Sequence, residues 1–175
     1  MKQLIAFLLV SCFGETFAEL NYKIIKIERC TGDNIRIKMD KCELMDGNYM
    51  NIRFNYILPV DYSLFKMTIY KRDSNNEFRE LFKNLPAINW CKLMDGTSKF
   101  SANFMAKITL ILVKSKFPEL AQRCPHGPMI IDRANFTVES KLISMFPNGF
   151  YRITLTMKYR KGEIMFDFSM LMELV

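Results

Sequence analysis

The clearest pattern lies near the C-terminus, where Tyr151, Ile153, Leu155, Met157 and Tyr159 alternate with Arg152, Thr154, Thr156, Lys158 and Arg160. A two-residue period is that of a strand with one buried face. A second alternation follows, with Ile164, Phe166, Phe168, Met170 and Met172 on one face. The first set occupies odd positions and the second even ones. A two-residue turn at Lys161-Gly162 reconciles them, setting Tyr159 opposite Ile164, Met157 opposite Phe166, Leu155 opposite Phe168, Ile153 opposite Met170 and Tyr151 opposite Met172. On the polar face it sets Arg160 opposite Glu163 and Thr154 opposite Ser169. A slip of one residue would turn the whole apolar face to water, which fixes the register.

Met50, Ile52, Phe54, Tyr56 and Leu58 form another alternating row, and Phe65, Met67 and Ile69 a third, joined by the short connection 59–63. Residues 20–29 and 35–39 are further strands, with a turn at Thr31-Gly32-Asp33-Asn34 between them. Asp46-Gly47-Asn48 and Asp73-Ser74-Asn75-Asn76 are turns by the same residue chemistry, and the second leads into a strand at 77–83. Between Thr97 or Ser98, either a suitable N-cap, and Pro118 the spacing changes: Phe100, Phe104, Ile108 and Ile111 or Leu112 recur every three or four positions. A strand at 108–113 is the alternative, since that run is rich in β-branched residues. The long interval without Gly or Pro favours a helix. Strands with one apolar face each must bury those faces against one another, so the expected architecture is mainly β: an antiparallel two-sheet sandwich or cup, immunoglobulin-like, with one inserted helix.

Composition narrows the setting. The chain has 175 residues, 50% of them apolar and 25% charged, which fits one ordinary globular core and neither a disordered nor a collagen-like chain. Residues 1–18 read as a signal peptide: Lys2 gives a positive start, Leu4 to Phe13 an apolar stretch, and Thr16-Phe17-Ala18 a small-x-small cleavage site. Residues 19–175 are then a single secreted, extracellular domain. Loss of the signal removes Cys12 and leaves Cys30, Cys42, Cys91 and Cys124, an even number that reads as two disulfides with three conceivable pairings. Four-cysteine zinc sites need pairs spaced by two to four residues, and these cysteines are much farther apart. Asn135-Phe136-Thr137 is a glycosylation acceptor on the secretory route.

Catalysis finds little support. His126 is the only histidine and lies in Cys124-Pro125-His126-Gly127-Pro128, a stiff turn-forming stretch where an imidazole is expected at the surface. No nucleophile elbow, phosphate-cradling glycine loop or His-Glu-x-x-His occurs, so neither an enzyme nor a cofactor or metal is expected. The net charge of +7 is spread over alternating strand positions, which reads as a solvated face and not as a nucleic-acid site. An anionic lipid surface or an acidic partner would also suit it. Abundant Phe, Tyr and Met either fill a sandwich core or line an adaptable cavity.

The stretch Trp90-Cys91-Lys92, the helical segment, Cys124-Pro125, and Phe146-Pro147-Asn148-Gly149-Phe150-Tyr151-Arg152-Ile153 with the terminal hairpin resemble a large insect family of secreted proteins. That family is related to the CheA/CheB chemosensory proteins and, more distantly, to the ganglioside activator and other lipid-recognition (ML) domains. The resemblance implies a β-sandwich whose sheets separate to admit an acyl chain or another apolar ligand. It equally implies a secreted partner of a membrane receptor or sensory channel. The ganglioside activator has a cysteine in its last hairpin that 164–172 lacks, so cavity size and ligand do not carry over.

Two assignments complete the reading. Cys30 is expected to pair with Cys42, tying the ends of the segment around Ile35, and Cys91 with Cys124, clamping the helical excursion. A hydrophobic ligand, a lipid or hydrocarbon-like cue, is expected between the sheets, against Ile52, Phe54, Tyr56, Phe65, Met67, Leu155, Met157, Phe166 and Phe168. The helix is the expected cover, adding Phe100, Phe104 and Ile108, with Phe104 and Phe168 touching the ligand.

Overall fold

A computed structural model describes residues 22–46, 48–83, 86–96, 104–138 and 146–175. The proposed signal peptide therefore lies outside the described residues. The larger sheet runs β1 (Tyr22–Gly32), β9 (Ile164–Leu174), β8 (Gly149–Lys158), β4 (Leu64–Arg72), with the short β5 (Phe78–Glu80) and β6 (Ile88–Asn89) both on the far edge of β4. The smaller sheet is β2 (Ile37–Met45), β3 (Tyr49–Tyr56) and β7 (Met129–Phe136). Every strand pair is antiparallel. Between β6 and β7, the described residues form two helices, α1 (Trp90–Met94) and α2 (Phe104–Lys116), and a 3-10 turn (Pro118–Ala121). The expected two-sheet antiparallel sandwich with an inserted helix is the fold, and 104–116 is helix, not strand.

Turn chemistry makes the connections. Asp33 accepts the backbone N–H groups of Ile35, Arg36 and Ile37 at 3.0, 2.7 and 3.0 Å, and Asp73 does the same for Asn75 and Glu77 at 2.9 and 3.0 Å. At the end of β1 a side chain on Gly32 would sit 2.1 Å from the Ile37 carbonyl oxygen, so only glycine fits that crossing.

The terminal hairpin holds the expected register over most of its length, with Tyr151 opposite Met172, Ile153 opposite Met170, Leu155 opposite Phe168 and Met157 opposite Phe166. On its polar face Thr154 meets Ser169, as expected. Its tip differs. Arg160–Gly162 form a 3-10 turn closed by Gly162 N–H to Tyr159 O at 3.1 Å, and Lys158, not Tyr159, faces Ile164. The extra residue makes a bulge that carries Met165 into the core, fully buried, and leaves Ile164 52% exposed. Arg160 and Glu163 accordingly do not pair with each other: Arg160 bonds Asp61 at 2.7 Å and Glu163 bonds Arg36 at 3.0 Å.

Both disulfides are as assigned. Cys30–Cys42 joins β1 of one sheet to β2 of the other, and Cys91–Cys124 joins α1 to the segment entering β7, with Cα atoms 6.4 and 5.4 Å apart. Each crosslink removes freedom from the unfolded chain. Strands β1, β2, β3, β4 and β5 are longer, shorter or shifted relative to expectation, with Leu58 outside β3 and 47% exposed, while β6, β7 and α1 have no counterpart in the sequence pattern.

Candidate functional site

The space between the sheets has two unlike halves. Along β1 and the C-terminal part of β9, Ile24, Met170, Met172 and Leu174 are buried, facing Met50 and Ile131 of the other sheet. The Cys30–Cys42 bridge closes that side. Along β4 and β8 the same inner face continues through Ile69, which is 4% exposed, and through Met67, Ile153, Leu155 and Met157, which are only half-buried. The larger sheet has more strands than the smaller one can cover, which leaves the β4 side to other elements.

Those elements are the helices. Val113 of α2 packs on the cluster of Ile88, Trp90 and Leu93, while Phe117, just past the helix, lies 5.3 Å from the ring of Phe136 on β7 and 6.5 Å from Phe54 on β3. The Trp90 indole N–H donates to the Leu120 carbonyl at 3.2 Å. Arg133 on β7 donates from Nε to the Lys116 carbonyl at 2.7 Å and also binds the Glu119 carboxylate, whose pKa that hydrogen bond lowers. The helical layer thus reaches from the β6 edge of one sheet to β7 of the other. Cys91–Cys124 ties α1 to the segment that leads from this layer into β7.

The structure gathers most of the expected lining. Ile52, Phe54, Tyr56 and Phe168 are buried in the main core, and Met67, Leu155, Met157 and Phe166 pack against it. Phe54 and Phe166 bring their rings to 6.1 Å across the sheets. Phe65 departs from the group: its ring lies 5.8 Å from Trp90, in the second cluster. Phe100 lies outside the described residues, and so do the side chains of Phe104 and Ile108, which leaves the contact between Phe104 and Phe168 undescribed. The expected lining did not include Trp90, Phe117, Phe136 or Leu120. Phe117 precedes Pro118 and was available as a helix-end signal, whereas Phe136 belongs to the unread β7.

One polar corner interrupts this apolar interior. His126 is 2% exposed, not at the surface as expected, because its backbone pairs with Val60 at 2.8 and 3.0 Å and its ring lies 6.0 Å from Tyr56. Burial lowers the pKa of His126 and raises that of Tyr56. His126 Nε2 and Ser63 Oγ are buried with no hydrogen-bond partner among the described residues. Asn135 is exposed, as a glycosylation acceptor requires. Among the described residues no His, Cys, Asp and Glu group could hold a metal ion, and no helix is long and apolar enough to cross a membrane.

No family model matches the chain. No curated protein matches it either. Among solved structures, it is similar to a Niemann-Pick type C2 protein from the Japanese carpenter ant, with a TM-score of 0.34 and 11% identity over 86% of this chain and 96% of that one. At that TM-score no residue of one is equated with a residue of the other.

Proposed function

We propose that the chain is a secreted, non-enzymatic protein that holds a hydrophobic ligand, a lipid or hydrocarbon-like cue, between its sheets beneath α2. The observation that carries this reading is the half-buried row of Met67, Ile153, Leu155 and Met157 on the inner face of the larger sheet. An apolar surface that the opposing sheet leaves partly uncovered suits small apolar molecules. The resemblance of the Cys-Pro and Phe146–Ile153 stretches to CheA/CheB and ML domains supports the same class. Secretion fits the two disulfides, which persist in oxidising compartments.

A second reading has its own support. Phe54, Phe117, Phe136 and Phe166 fill the middle of the molecule with ring contacts of 5.3 to 6.5 Å, which suits a solid core and a secreted partner of a membrane receptor or channel. Titration with an environment-sensitive fluorescent fatty acid separates the two. Saturable binding that Leu155→Gln weakens at least about tenfold, the cost of roughly one unmatched polar group, while Ile24→Val on the closed side leaves it unchanged, supports the ligand reading. Absence of binding across fatty acids, sterols and long-chain hydrocarbons contradicts it and favours the receptor partner.

A further inference from the structure

We propose that the outer face of α2 docks on an anionic lipid surface. Lys107, Ile111 and Lys114 recur at four and three residues, which places them on one side of the helix, and all three are exposed, Ile111 by 58%. The opposite side carries Thr109, 4% exposed, and Val113 against the Trp90 cluster, so the helix is anchored by one face and presents the other. An exposed aliphatic side chain flanked by two lysines one turn away on either side is the arrangement that settles into a headgroup layer.

Charge complementarity selects the occupant. Several cations elsewhere have an acidic neighbour: Lys26 and Arg152 share Glu28, Arg29 on β1 meets Asp167, and Arg36, just before β2, meets Asp33. The helical layer is different, because no acidic residue occurs between Asp95 and Glu119. Glu119 is bound by Arg133, which leaves Asp95 as the layer's remaining carboxylate among the described residues. Arg123, beside the Cys91–Cys124 bridge, is also exposed. The segment between Asp95 and Glu119 is thus cationic with no acidic residue of its own. A polyanionic surface attracts such a cluster over about a Debye length of 10 Å at 0.1 M salt.

This surface is separate from the interior site: a protein that binds vesicles without taking up a fatty acid contradicts the proposed function and leaves the docking face standing. The test is co-sedimentation of the intact secreted protein with vesicles of phosphatidylcholine alone or with 30% phosphatidylserine (about one charged lipid in three, a strongly anionic surface). Binding is expected only to the anionic vesicles and is expected to fall as salt rises. Replacing both lysines, Lys107→Gln with Lys114→Gln, should weaken it about thirty-fold, and Ile111→Ser should weaken it less. The control Lys23→Gln, on the far edge strand, should leave it unchanged. Equal losses in the control and the double variant, or no binding to either vesicle, overturn the proposal. Retention on a polyglutamate matrix without vesicle binding also overturns it and assigns the face to an acidic protein.

Discussion

The closed and open halves of the interior are built from neighbouring strands of one sheet with similar residues, and they differ in what lies across from them. Phe168 and Leu155 face each other across β8 and β9, yet Phe168 is 5% exposed while Leu155 is half-buried. Toward β1, strand covers strand, and a disulfide joins the edges. Toward β4, the neighbours are β6, α1 and the end of α2 around Val113. Sheet-on-sheet packing interdigitates side chains continuously, whereas a helix laid across an edge touches the sheet along a stripe. The same apolar alternation therefore yields a solid core on one side and an accessible apolar wall on the other.

The largest effect that tests this difference is truncation within each half. Phe168→Ala should cost about 3 to 5 kcal/mol in urea unfolding, and Met157→Ala about 1 kcal/mol, because a half-buried side chain loses less contact and leaves less of a void. Equal losses would erase the distinction between the halves.

Next come the crosslinks. Replacing Cys30 and Cys42 together by Ala, or Cys91 and Cys124, should each remove about 3 kcal/mol of stability. Only the second pair holds the cover, so only its loss should also speed release of a fatty-acid probe in stopped-flow measurements. If both pairs change release equally, the cover is not where the helices lie.

A smaller effect sharpens the picture at the polar corner. Burial holds the His126 pKa below its ordinary value of 6.5, so in acid the unfolded chain takes up a proton that the folded protein resists. Stability is then complete above about pH 6.5 and falls as pH drops below it. In His126→Phe, thermal unfolding followed from pH 7 to 5 should lose that portion of the slope. An unchanged slope would mean that the imidazole takes up its proton equally in the folded and unfolded states.

The terminal hairpin was legible in the sequence because its signal is local: alternation on both strands and a short turn determine one register. Bulges defeat that rule. Met165 faces inward although its position in the alternation sends it outward, because the tip holds one residue more than a two-residue turn does. Strand β7 was illegible for a related reason. Ile130 and Ile131 are adjacent apolar residues on opposite faces, one 59% exposed and one fully buried, and Asn135 with φ of 55° interrupts the strand before Phe136. Of the candidate site, strand alternation placed most lining residues on the inner face. The grouping of Phe65 with Trp90 and the burial of His126 depend on α1 and Val60, segments that no local pattern connects to them.

Trp90 offers the most direct test of the central claim, that the open half receives an apolar ligand. It is the only tryptophan in the chain and lies 3% exposed, 5.8 Å from Phe65 and bonded to the segment after α2. Its fluorescence, followed during titration with a fatty acid brominated in mid-chain, reports any acyl chain that enters beneath the cover. The account predicts saturable quenching, absent with the unbrominated acid and weakened by Leu155→Gln. Saturable binding of the same acid that leaves Trp90 fluorescence unquenched, or no binding at all, would contradict it.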